Sequence, residues 1–237
     1  MATERWLTLP NRAGLRTDDL VMFVQEAGKD YQRAWDGCSE PRFLVEMAAA
    51  AGLPVDVVLQ ASAKCCADAW SDWSGGATDG RPMQVANAVT RWTQRGSGFE
   101  DIWAAWELAE AVSREVRLWY ETQQGAVLAT AIVNAVSSVQ ALAAAARDLA
   151  EPEEGHDQYD LERYRRKNTD PANAGLLHDV AKAVELATTA GSWFHSHTEP
   201  KASQEAHDGF AHQILGFTLR QHLDRDSVVQ GLRDRLR

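Results

Sequence analysis

Basic charge, cysteine and strand-forming patterns are all scarce in this chain of 237 residues. Lys and Arg number 24 against 34 Asp and Glu, giving a formal net charge of −10. Binding to phosphate backbones needs a basic footprint, so nucleic acid is not expected as the main partner. An acidic surface keeps a protein soluble and also suits a basic protein partner. The three cysteines, Cys38, Cys65 and Cys66, are too few for a disulfide framework. On a helix the adjacent pair would point about 100° apart, so neither mutual bridging nor joint metal ligation is expected. Reduced, partly buried thiols of a cytoplasmic protein are the expectation. The opening MATERWLTLPNRAGLRTDD has no signal-peptide apolar core. The longest apolar stretch, 125–146, is interrupted by Thr130, Asn134, Ser137, Ser138 and Gln140. It reads as a buried Ala-rich helix and not a membrane span.

Catalytic signatures are lacking too. There is no zinc-protease HExxH pattern, Gly-Ser-Trp at 191–193 is not a nucleophile elbow, and Ser74-Gly75-Gly76 lacks a following lysine. Acidic pairs such as Glu107/Glu110 and Glu153/Glu154 read as solvated charges. Histidine is missing from the first 155 residues; all seven follow, at His156, His178, His195, His197, His207, His212 and His222. A turn at the end of their helix would let His195 and His197 face one pocket with His207 or His212, but a metal site needs three or four ligands and no spacing supplies them. No catalytic, cofactor or metal residue is assigned.

What the chain does have is helical periodicity. Apolar residues make up 45% and charged residues 24%, a globular balance. Thr17-Asp18-Asp19 opens a helix through Leu20, Phe23, Val24, Ala27, Tyr31 and Ala34. Ser39-Glu40-Pro41 starts the next, which stops at Gly52, and a third runs from Pro54 to about Trp70. After the Ser74–Gly80 loop, Arg81-Pro82 opens a helix to Arg95-Gly96, and Ser97-Gly98-Phe99-Glu100 fits a capping box. The helix from that box carries Ile102, Trp103 and Trp106 and breaks near Gly125; the Ala-rich helix follows to about Leu149. Residues 151–175 change character: Glu151, Glu153, Glu154, Asp157 and Asp160 precede Arg163, Arg165, Arg166 and Lys167. This is a charged linker or long loop. Helices from Leu176 and Ser203 follow, with Asp226 capping a short last one. The expected architecture is all-α, a bundle or array of antiparallel helices: a main domain over 1–150 and a C-terminal helical subdomain over 176–237 packed on it.

Tryptophan is abundant at nine residues, eight of them by residue 119. Most should fill the core between small alanines, with one or two indoles, Trp73 above all, near the surface loop.

The segment from Lys64 to Gly96 carries a resemblance. Cys66-Ala67 ends one helix, Asp79 precedes Arg81-Pro82, and Ala88, Arg91-Trp92 and Gly96 follow in order; Ala129-Thr130-Ala131 comes later. This order is similar to a bacterial immunity protein family of polymorphic toxin systems, over roughly Val55 to Ala146. Here one extra residue precedes Gly96, and Ile132 stands where that family carries histidine. The resemblance implies protein binding in place of catalysis: neutralisation of a cognate toxin by occlusion of a basic or substrate-binding face. Trp73, Asp79, Arg81, Glu153, Glu154, Arg165 and Arg166 are the candidate partner-binding residues. An adaptor of a defence or secretion complex, binding through 151–175, is the second reading, and a metal-dependent enzyme using the C-terminal histidines is the third.

Overall fold

The structure is a computed structural model that describes residues 25–28, 30–73, 79–95, 98–123, 126–150 and 174–235. Among them are nine helices and no strand: α1 (Tyr31–Gly37), α2 (Pro41–Ala51), α3 (Val55–Trp73), α4 (Arg81–Arg95), α5 (Phe99–Thr122), α6 (Val127–Ala150), α7 (Ala174–Thr198), α8 (Gln204–His222) and α9 (Arg225–Arg235). The all-α architecture expected from periodicity is what forms.

Local chemistry explains most boundaries. Pro41 at the first turn of α2 has no N–H to leave unsatisfied, and Gly52 ends the helix in the left-handed region at φ 81°. Ser203 caps α8 by accepting from the Ala206 N–H. Three expectations are corrected. The helix expected to run through Ala34 is interrupted: Gly28 turns at φ 72°, and Asp30 caps a new helix by accepting from Gln32 and Arg33 N–H. Residues 17–24 of that expected helix lie outside the described residues. The N-cap of α5 is Gly98 and not Ser97, which lies outside the described residues; Gly98 has no side chain to accept a hydrogen bond, and Glu100 falls at the second position of the helix. In α9 the cap is Asp224, whose carboxylate accepts from Ser227 N–H at 2.8 Å, and not Asp226.

The alanine-rich α6 is the hub. Twelve of its residues are buried, from Ala129 to Ala150, and it packs on α3, α4, α5 and α7. Its interface with α7 is the most extensive in the molecule. Helices α3 to α6 pack on one another, α3 and α6 also pack on α7, α2 and α8 each contact both α3 and α7, and α9 rests on α2 and α1. One buried cluster therefore runs from Ala34 through Val58, Leu142 and Val184 to Leu232. Among the described residues α6 is also the one helix long and apolar enough to cross a membrane. In this fold its small side chains are the contact surface for four other helices. Residues 151–173, the charged linker, lie outside the described residues.

Polar ties close the rim of this core. Arg42 of α2 bonds Glu46 at 2.9 Å and Glu185 of α7 at 3.1 Å. Gln140 of α6 accepts from Ser113 and donates to Glu110 of α5, both at 2.6 Å. Arg225 of α9 grips Asp36 of α1 through two bonds of 2.7 and 2.6 Å. The guanidinium of Arg220 on α8 donates to the carbonyls of Trp35 and Cys38 at the end of α1, where a cation favours the helix C-terminus.

Backbone approach is closest where α9 meets α2. A Cβ on Gly231 would lie 2.3 Å from the Ala51 carbonyl oxygen, whereas one on Gly209 of α8 would meet nothing within 4 Å. Gly231→Ala is expected to lower unfolding stability by about 1–3 kcal/mol through overpacking, and Gly209→Ala to raise it by about 0.5–1 kcal/mol through helix propensity. Thermal or urea denaturation of the two variants checks the sign of each.

Candidate functional site

The loop between α3 and α4 is closed at its C-terminal side by four residues. Trp70, one turn before the end of α3, is buried and donates its indole N–H to the Asp79 carbonyl at 3.1 Å. The Asp79 carboxylate accepts from the Arg81 N–H at 2.9 Å, closing the turn into α4. It also holds the Arg81 guanidinium through Nε at 3.0 Å and Nη2 at 2.7 Å. The same Nη2 reaches Glu115 Oε2 on α5 at 2.6 Å. One arginine thus ties the loop end, the start of α4 and the middle of α5. Its hydrogen bonds hold the Asp79 and Glu115 carboxyls below their ordinary ranges and raise the guanidinium further. Of the sequence candidates, Asp79 and Arg81 are therefore brought together. Trp73 ends α3 with its side chain outside the described residues, as are Glu153, Glu154, Arg165 and Arg166. Trp70 and Glu115 were not singled out by sequence; the spacing of Asp79 and Arg81 is visible in the chain, but Glu115 becomes a partner only through the packing of α4 on α5.

The histidines form a pair. His195 near the end of α7 and His207 in the first turns of α8 place their Nδ1 atoms 3.0 Å apart, and Phe210 stacks on His195 with ring centroids at 4.4 Å. One ring must donate and the other accept, so the contact requires complementary tautomers. Beside it Ser192 donates to Asp208 at 2.5 Å and Gln204 donates to the same oxygen at 2.9 Å. His212 instead lies 3.3 Å from Glu40, and His197 is exposed. Of the expected gathering only His195 and His207 meet, and no group of three or more His, Cys, Asp or Glu is arranged for a metal among the described residues.

All three thiols are free and buried. Cys65 points to the Leu215 carbonyl of α8 at 3.8 Å and Cys66 to that of Ala183 on α7 at 4.0 Å, the divergence expected of neighbours on a helix. Burial pushes the Cys38 and Cys66 thiols up to about 12 and Cys65 well above its ordinary value. Thiols held protonated are poor nucleophiles.

Of the tryptophans, Trp35, Trp70 and Trp92 are in the core, and Trp103, Trp119 and Trp193 are exposed at 37, 41 and 40%. The three exposed indoles are on α5 and α7, while Trp73, the one expected near the surface loop, has its side chain outside the described residues. Trp103 contacts Phe99 and Trp106, and Arg147 of α6 covers Trp106 with its guanidinium 4.4 Å from the ring centroid.

No protein-family model, curated protein or solved structure matches the chain, so residues and geometry carry the functional reading.

Two outcomes are expected at these sites. The folded carboxyl values of Asp79 and Glu115 lie below the unfolded ones, so the stabilisation they contribute is complete above about pH 5 and fades as the pH falls below about 4. Arg81→Ala should return both titrations towards the ordinary range in a carboxyl NMR titration; unchanged curves would contradict the assignment. Separately, a thiol-reactive disulfide reagent at pH 8 should label none of the three cysteines at a measurable rate in the folded protein and all three in denaturant.

Proposed function

We propose that the chain is a non-enzymatic protein-binding protein, an immunity protein that acts in the cytoplasm and neutralises a cognate toxin by covering part of its surface. The observation that supports this reading best is the Trp70–Asp79–Arg81–Glu115 corner. A solvated ion pair contributes little stability, so an arginine held by two carboxylates, Asp79 and Glu115, is better explained by position than by energy. The corner fixes the start of α4 against α5 and leaves the Arg81 and Glu115 side chains exposed at 36 and 58%. Prepaid ordering of a binding surface reduces the entropy lost on association. The acidic balance of the whole chain favours a cationic partner face. The order of Cys66-Ala67, Asp79, Arg81-Pro82 and Arg91-Trp92 is what connects this surface with immunity proteins.

The test is co-expression with the product of the neighbouring gene, reading growth. Relief of toxicity by the wild-type chain is expected, and Arg81→Ala should weaken the complex by about tenfold or more while the helical circular dichroism spectrum is retained. A stable complex without growth rescue would replace neutralisation with an adaptor role; neither rescue nor complex would remove the reading.

A further inference from the structure

Five large apolar side chains remain exposed among the described residues, and three of them, Trp103, Leu118 and Trp119, are on α5. The inner face of this helix is occupied: Ile102, Ala105, Ala109 and Val112 are buried, and Glu110, Ser113 and Arg117 all bond Gln140 of α6. Among the described residues the outer face is not. At 100° per residue, Trp103, Glu107, Arg114 and Leu118 fall within about 60° of one another, spread over about 22 Å of helix. Trp103 is 37% and Leu118 61% exposed. Glu107 and Arg114 are exposed as well, and neither forms an ion pair with another described residue.

We propose that this face joins two copies of the chain, with α5 antiparallel to α5 of the partner about a two-fold axis between Glu110 and Ala111. Trp103 then lies opposite the partner's Leu118, and Leu118 opposite the partner's Trp103. Under the same rotation Glu107 meets the partner's Arg114, and Arg114 meets the partner's Glu107. An isologous contact needs a patch complementary to itself, and one helix face here supplies apolar against apolar and acid against base in a single register. Ala111 beside the axis lets the backbones approach. The charges select that register. A parallel pairing, or moving the axis one turn either way, sets Arg114 against the partner's Arg114 or Glu107 against the partner's Glu107. Glu100 does face the partner's Glu121, at the solvated ends of the contact where repulsion is screened. A single helix pair is a small interface, so the dimer is concentration-dependent.

Sedimentation equilibrium of the full chain between about 1 and 100 μM, the range of a modest interface, is the test. Wild type should move from monomer to dimer mass across this range. Glu107→Arg and Arg114→Glu should each remain monomeric, with dimer dissociation constants raised at least about tenfold and unchanged melting temperatures. Mixing the two variants should restore a mixed dimer, because one then presents two arginines and the other two glutamates to each other. A wild type that is monomeric throughout, single variants that dimerise as wild type does, or a mixture that stays monomeric would each overturn the proposal.

Discussion

Alanine at the positions where α6 meets its neighbours sets how closely the backbones lie, and the rest of the arrangement follows from that spacing. Ala135, Ala143, Ala145 and Ala146 are fully or almost fully buried, together with Leu142 and Leu149. Small side chains shorten the distance between helix axes and leave few atoms to fill a wide gap. Four helices can therefore surround α6 only if each also presents a narrow face, as α7 does with Ala183, Ala187 and Ala190. Larger side chains are accommodated where helices diverge or end: Trp35 lies on short α1, Trp70 near the end of α3 and Trp92 near the end of α4. Where α9 crosses α2 the spacing is tighter still, and only glycine at 231 fits against Ala51.

Such a core holds the helices together without fixing their rotation, since dispersion and hydrophobic burial are non-directional. Direction comes from the polar ties at its edge. Gln140 reads three residues of α5 at once, Arg42 spans α2 and α7, and Thr218 of α8 donates to Asp68 of α3 at 3.1 Å. Glu46 is the most buried carboxylate among these ties, and its 2.9 Å bond to Arg42 offsets part of the cost of its desolvation. The Arg81 corner differs in being largely solvated. Its energy contribution is small, which is why its geometric role, holding the loop end against α5, is the more informative one.

Much of the backbone was legible in the sequence because its signals are local. Pro41, Gly52, Arg81-Pro82 and Ser203 act on their own turn, and each marks a boundary in the fold. The failures occurred where two local signals compete. Asp224 and Asp226 are both capable caps; the chain starts α9 at Arg225, so the earlier aspartate meets the free N–H groups. Gly28 and Asp30 together break a helix that apolar spacing alone carries through Ala34. At the candidate site the Asp79–Arg81 turn was readable, since only Gly80 stands between acceptor and donor. The Trp70 indole and Glu115 were not: their distances depend on α3 and α4 folding back on each other and on α4 lying against α5. The His195–His207 contact likewise needs the α7–α8 hairpin, while the equally suggestive His197 turns outward on the same helix.

The two surfaces discussed for this chain meet on α5 without competing for it. Glu115, which receives Arg81, lies about 100° around the helix from Arg114, so the loop corner and the outward face look in different directions. Helix α4 contributes only basic charge, Arg81, Arg91 and Arg95, whereas α5 carries six acidic residues and two arginines. The Arg81–Glu115 bridge is where these opposite fields are joined within one molecule. Arg114 is left as the basic group in an otherwise acidic outer face, and this makes the face complementary to its own copy when rotated. A two-fold contact of the proposed kind through Trp103, Glu107, Arg114 and Leu118 would lie about a quarter-turn of helix away from Glu115, so the proposed self-association and the proposed partner binding would draw on different faces of α5.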